Sequence, residues 1–371
     1  MKRYAVKVLN EGKHKFYYIL DNETYDVVLY PSKFLKHKIE ENRSPNTVRR
    51  IAFALCYYME YLNQQEVELE EVSEMGYEDQ NKHFIQFLYW LLEGNHVASN
   101  RKESTGKGTC NAYLKDVFGF FLFMADCGRA KPLQILKYNQ VTVANAVGVK
   151  RTIRAKSFKG YFKPKDRNVR AAEEVEIIEV LQACTNSRDQ LLLLMIAETG
   201  FRIGEILGVD YTRDIDYQRK TVRVYFRDDN DNNARAKNAE CRKARVSDET
   251  FEFLLEYMNE YRKLLQHQTL LFINITGETA GKPMIVESVY DMLKRMEKKT
   301  GYKLTPHMLR RYFAVSRRKA DWKLELISQA LGHKHLDTTV KYLGILDDQL
   351  MEASREFYER HSDRYGIKKL L

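Results

Sequence analysis

The chain has 371 residues, room for two domains, and its 44% hydrophobic content excludes wholesale disorder. Lys and Arg total 61 against 51 Asp and Glu, a formal charge of +10 that suits a polyanionic partner without requiring one. No apolar run approaches the roughly 20 residues of a membrane span, no secretory leader is visible at the start, and the 5 cysteines are scattered with no C-x-x-C pair. A soluble, cytoplasmic protein is expected. With only 6 prolines and 18 glycines, long helices are favoured over a many-turned β fold.

In chain order, the runs YAVKVL, KFYYIL and YDVVLY predict a small β-hairpin or meander over residues 1–30. Ser44 and Pro45 then form a helix start, followed by Ile51, Leu55, Tyr58 and Leu62 at helical spacing. Helices are predicted at about 79–93 and 110–125, with a polar loop over 97–108, so residues 31–135 read as a helical bundle. Residues 136–170 read as a basic linker. Between Lys150 and Arg170 nine basic residues face one acid, with Phe158, Tyr161 and Phe162 interleaved. A solvated linker explains this composition; so does a strap along phosphates, contacting DNA through Lys150, Arg151, Arg154, Lys156, Lys159, Lys163 and Lys165.

Residues 171–371 read as mainly helical with one small sheet. Helices are predicted at 172–183, 187–199 (stopped by Gly200), 202–207, 247–265, 287–300, 306–320, 324–331, 337–343 and 349–360, and strands at 214–217, 221–226 and 241–246. The expected fold class is therefore α+β, mainly α, with a short N-terminal β extension.

Thr305 and Pro306 open a helix that places His307 and Arg310 on one face near its N-terminus, where free backbone N–H groups favour an anion. The His-x-x-Arg pair is cheap by itself, and His361 with Arg364 repeats it. Its company is more informative. Arg202 follows the Gly200 turn in ETGFRIGE, His333 follows Gly332, and Tyr342 lies nine residues after His333. Two arginines, two histidines and a tyrosine suit a phosphodiester attacked by a phenol: the guanidinium fork binds two oxygens at once, and cations activate a group whose ordinary pKa is near 10. There is no zinc-protease pair of histidines and no Gly-rich nucleotide loop.

The ordered set ETGFRIGE, TPHMLRR and LGHKHLDTTVKY resembles the tyrosine recombinase (phage integrase) family over about residues 171–345, and the segment 31–130 is similar to the family's core-binding domain. The resemblance implies a catalytic domain in which Arg202 and Arg310 clamp the scissile phosphate and Tyr342 forms a 3′-phosphotyrosyl bond. His307 and His333 would assist as donors or in proton transfer. A lysine, matched by Lys237 with Lys243 as competitor, would protonate the leaving 5′-oxygen. Glu205 matches a family acid that orients a neighbour. Arg311 stands where many members carry a second histidine.

It further implies duplex DNA as partner, a tetramer on paired sites, and room for accessory DNA-bending or transposon-encoded proteins. No ATP or divalent ion is needed, because the phosphotyrosyl link conserves the phosphodiester's energy. The chain's length and N-terminal strands look most like mobile-element transposases of the family. A non-cleaving DNA-binding regulator and a topoisomerase-like relaxing enzyme are the alternatives.

Overall fold

The computed structural model describes residues 2–11, 14–97, 104–136, 138–144, 150–156, 158–164, 170–225 and 241–333, with positions 338, 339, 343 and 355 beyond. The chain divides into two compact units, Met1–Asp166 and Arg167–Leu371.

The first unit opens with an antiparallel hairpin, β1 (Tyr4–Glu11) and β2 (His14–Asp21), in register from Tyr4 opposite Asp21 to Glu11 opposite His14. Its root is fixed by Glu60, which accepts from the backbone N–H groups of Arg3 and Tyr4, and by Tyr17 and Ile19 entering the core. The third apolar run does not extend the sheet. Val27 makes a single bridge to Leu20, and α1 (Leu29–Glu40) begins two residues later. Pro31 accounts for the difference: it has no N–H for a ladder and suits the first turn of a helix.

Helix α2 (Pro45–Gln65) begins where expected, the Ser44 hydroxyl accepting from the Thr47 N–H, and buries Val48, Ile51, Leu55, Tyr58 and Leu62 along one face. With α3 (Leu69–Glu74), α4 (Tyr77–Leu92) and α5 (Lys107–Asp126) it encloses an aromatic core. The Phe84 ring meets Phe118 edge-on at 4.9 Å and stacks on Tyr58 at 6.1 Å, arrangements that add to plain area burial.

Residues 136–170, read from the sequence as a linker, contain a second hairpin: β3 (Tyr138–Ala144) pairs antiparallel with β4 (Lys150–Lys156). The interleaved aromatics beyond it are anchors rather than free stacking faces. Phe158 is buried against Phe118, Tyr161 lies under Lys115, and the backbone of Phe162 exchanges two hydrogen bonds with the Asn111 amide.

The second unit is built around α7 (Ser187–Thr199), which packs against α6 (Glu174–Ala183), the short α8 (Ile203–Ile206), α9 (Asp248–Glu260) and α12 (Pro306–Lys319). A three-stranded antiparallel sheet runs β5 (Ile215–Asp216), β6 (Thr221–Val224), β7 (Arg242–Arg245). The single long helix expected over 247–265 is interrupted at Tyr261, after which α10 (Arg262–Leu265) continues. Helix α11 (Val286–Thr300) ends on Gly301 with φ +77°, and α13 (Leu324–Leu331) ends on Gly332 with φ +61°. The helices expected over 337–343 and 349–360 lie, isolated positions apart, outside the described residues. Among the described residues no helix is long and apolar enough to cross a membrane.

Candidate active site

Helix α12 is opened by Thr305, whose hydroxyl accepts from the Met308 N–H, with Pro306 at the first helical position. Its packed face buries Met308, Leu309, Arg310 and Phe313, so Arg310 enters the interior with its helix and is 3% exposed. A buried guanidinium requires acceptors, and here they are the ends of two other helices. Arg310 donates to the Gly200 carbonyl at the end of α7 and, at 2.6 Å, to the Leu331 carbonyl at the end of α13. Helix C-termini carry partial negative charge and suit a cation.

Both helices end on a glycine in the left-handed region. A methyl group on Gly200 would come within 2.5 Å of the Phe313 ring, and one on Gly332 within 2.7 Å of the Arg242 guanidinium.

The Gly332 turn delivers His333, whose backbone N–H bonds the Ser328 carbonyl. Its Nε2 lies 3.2 Å from the Arg310 guanidinium and its Nδ1 2.9 Å from the Thr339 hydroxyl. Because arginine can only donate, Nε2 accepts and the proton sits on Nδ1, facing Thr339. Burial, then Arg310, Arg202, Arg242 and His307, push the imidazole down to about 3. Burial and the neighbouring Arg310, Arg311 and Arg202 also hold His307 below its ordinary value. Both are neutral bases at neutral pH.

Arg202 is the N-cap of α8. Its backbone N–H donates to Glu205 Oε2 at 2.7 Å, and its guanidinium to Oε1 at 2.9 Å. Glu205 is also paired with Arg242 of β7 at 2.5 Å. Burial raises the Glu205 carboxyl, but Arg242, the Arg202 backbone and side chain, and Arg310 outweigh it and leave the group below its usual range.

Of the residues singled out from sequence, Arg202, His307, Arg310 and His333 therefore converge. Tyr342 and Lys237 lie outside the described residues. Thr339 and Leu343, three residues before and one after Tyr342 in the chain, are both packed here: Thr339 is fully buried against His333, and Leu343 packs with Phe313, Ala314, Ile327 and Leu331. Lys243 occupies β7 next to Arg242; strand alternation sends Arg242 inward and leaves Lys243 exposed on the other face. Lys150, Arg151, Arg154 and Lys156 form much of β4, Lys159 and Lys163 are exposed, and Lys165 lies outside the described residues. Arg242 was not singled out from sequence: in CRKARV it reads as one more surface cation. Among the described residues no cluster of His, Cys, Asp or Glu is arranged to hold a metal ion.

The phage integrase family model matches residues 167–348, the unit that carries every residue of this cluster. Residues 167–348 form a phage integrase, or tyrosine recombinase, domain. Transposase A from transposon Tn554 of Staphylococcus aureus is 27% identical over 366 residues, covering 97% of this chain and 99% of that protein. The tyrosine recombinase XerA of Saccharolobus solfataricus is 31% identical over 191 residues, 51% of this chain and 56% of that one. Among solved structures, the XerH recombinase bound to a difH substrate in a pre-cleavage complex aligns with TM-score 0.57 at 18% identity, covering 90% of this chain and 86% of that one. The Tn1549 transposon integrase with a circular-intermediate DNA aligns with TM-score 0.56 at 15% identity, covering 88% and 98%. The fold, mainly helical with small sheets, is that of the two-domain tyrosine recombinases, and this chain is an enzyme of DNA strand breakage and rejoining.

Proposed function

We propose that this tyrosine recombinase is the site-specific DNA recombinase of a mobile element, cleaving and rejoining duplex DNA through a 3′-phosphotyrosyl bond to Tyr342. The observation that carries the reading is the buried Arg310 guanidinium, dressed by helix-end carbonyls and set beside Arg202, His307 and His333. Such a group keeps its charge while the two histidines beside it stay neutral, and a developing phosphorane needs that fixed positive charge. The mobile-element role is supported by the end-to-end similarity to a transposon's transposase.

In this mechanism Arg202 and Arg310 hold the non-bridging oxygens of the scissile phosphate. The Tyr342 phenol oxygen attacks phosphorus as the bond to the 5′-oxygen breaks. His307, neutral at physiological pH, is in the state that accepts the phenolic proton, and Lys237 supplies a proton to the leaving 5′-oxygen. His333 bonds Arg310 through Nε2 and so orients the clamp; when phosphate draws the guanidinium away, the ring proton moves to Nε2, which donates to the phosphate while Nδ1 accepts from the Thr339 hydroxyl. Lys237 is preferred over Lys243 because Lys243 faces away from Arg242 and the site. The basic residues of β4 and of 159–165 contribute sequence-independent phosphate contacts. The working form is a tetramer on paired sites in the cytoplasm, assisted where needed by DNA-bending or element-encoded proteins.

The test is covalent trapping. Nicked duplexes spanning the candidate junctions of the element are incubated with wild type and Tyr342→Phe, without magnesium or ATP. A denaturation-resistant adduct in wild type alone is expected. Binding without an adduct favours a non-cleaving regulator, relaxation of any supercoiled plasmid favours a topoisomerase-like enzyme, and an adduct that survives in Tyr342→Phe removes Tyr342 as nucleophile.

A further inference from the structure

Arg242 lies below the surface on β7 and makes no contact that the mechanism above requires. Its side chain is 7% exposed and is held on four sides: Glu205 Oε1 at 2.5 Å, the Ala330 carbonyl at 2.9 Å, the Phe201 ring at 5.3 Å, and the Cα of Gly332, whose missing side chain leaves the guanidinium its space. The first of these contacts matters most. Glu205 Oε1 is shared between the guanidiniums of Arg242 and Arg202, while Oε2 is taken by the Arg202 backbone N–H.

The Glu205 carboxylate, fully buried, cannot turn to water. With Arg242 absent it would be neutralised by Arg202 alone. The pair Arg202–Glu205 would then have no net charge, and an approaching phosphate would compete with a buried carboxylate for the same guanidinium. With Arg242 present, two guanidiniums share one carboxylate, and one positive charge remains. Arg242 is the buried partner (7% exposed) and Arg202 the more open one (25%), so the spare charge is presented on Arg202. The same residue ties this pair to the α13 end that carries His333, through the Ala330 carbonyl.

We propose that Arg242 is a positioning residue: it holds the Glu205 carboxylate so that Arg202 stays available, as a cation of fixed orientation, to the substrate's phosphate. The assignment rests on the recombinase reading for the identity of that phosphate, and on the geometry alone for the charge sharing.

A charge-compensation experiment on the full-length protein separates this role from simple support of the fold. Arg242→Met removes the charge at similar volume; Arg242→Met with Glu205→Gln removes both charges and restores the single net positive charge on Arg202. On the nicked duplex, Arg242→Met is expected to form the Tyr342 adduct about 100-fold more slowly with duplex affinity changed no more than about threefold, and the double variant to recover about tenfold of that loss. A double variant no faster than Arg242→Met would overturn the proposal. Should Arg242→Met fail to fold, Arg242→Gln is compared with Arg242 in the Glu205→Gln background: with the carboxylate gone, losing the arginine is expected to change the rate less than about threefold, and a further large loss would overturn it. Inorganic sulfate supplies a second readout that needs no cleavage. It is expected to raise the melting midpoint of wild type, less so that of Arg242→Met, and again that of the double variant. If wild type forms no adduct on any duplex, the recombinase reading fails, and the sulfate series still decides the role of Arg242.

Discussion

His83 in the first unit and His333 in the second are both pushed far below the ordinary imidazole value of 6.5, to about 4 and about 3. The causes differ. Burial alone acts on His83, which sits among Tyr58, Tyr61 and Phe84 with its Nε2 at 2.9 Å from the Tyr58 hydroxyl. Burial acts first on His333 as well, but four cationic or basic neighbours add to it, and its ring bridges Arg310 to Thr339. One histidine is a polar filler in an aromatic core. The other belongs to a concentration of like charge that the fold tolerates because helix-end carbonyls and one shared carboxylate hold it. A depressed pKa does not separate packing from function; the company of unlike elements converging on one point does.

The largest expected contrast comes from deleting one group in each region. Arg310→Ala strands the Gly200 and Leu331 carbonyls and removes a phosphate ligand, so adduct formation should fall about 1,000-fold or more. Tyr58→Phe leaves the His83 Nε2 short of a partner and should cost about 1–3 kcal/mol of stability, with the adduct rate per folded molecule unchanged. Chemical denaturation and single-turnover trapping measure both. A rate loss in Tyr58→Phe beyond its unfolded fraction would break the distinction.

The next contrast is in pH. The unfolded chain takes up a proton at each of these histidines near pH 6.5, whereas the folded protein does so only near 4 and 3. Between those values the unfolded state holds more protons, so stability is full above pH 6.5 and falls as the pH drops, by at most about 1.4 kcal/mol per unit for each group. Sulfate or duplex bound beside Arg310 should raise the His333 value and leave His83 unmoved; imidazole resonances followed by NMR would show it. Equal shifts in the two rings would contradict the separation.

The smallest contrast lies between two nearly identical caps. Ser44 and Thr305 each accept from the N–H three residues on, at 3.3 and 3.2 Å, and each precedes a proline. Alanine at either should cost about 1 kcal/mol. Only Thr305→Ala should also slow adduct formation, because His307 and Arg310 ride on that turn.

The four convergent site residues were legible because each sits on a local signal, a helix start or a glycine-terminated turn, and the signals keep a fixed order along the chain. Arg242 was not. Its burial follows from strand alternation and from a carboxylate far away in sequence, and neither is visible in CRKARV. Local patterns misled in three further places. YDVVLY alternates like a strand, but Pro31 turns it toward a helix. The long helix after Ser247 breaks at Tyr261 without a glycine or proline to announce it. Phe158, Tyr161 and Phe162 stand among cations yet pack onto α5 and its neighbours, since an aromatic ring near a helix bundle gains more from burial than from water.

Gly200 and Gly332 touch no substrate in any step proposed here, yet each has a positive φ and a neighbour pressed against the place where a side chain would begin. In a saturation scan of this chain scored for recombination, these two columns should be as intolerant as those of the residues that perform the chemistry. A conservation profile of the family read without geometry would count both as catalytic. Their invariance would record instead how closely two helix ends must approach for their carbonyls to receive one buried guanidinium.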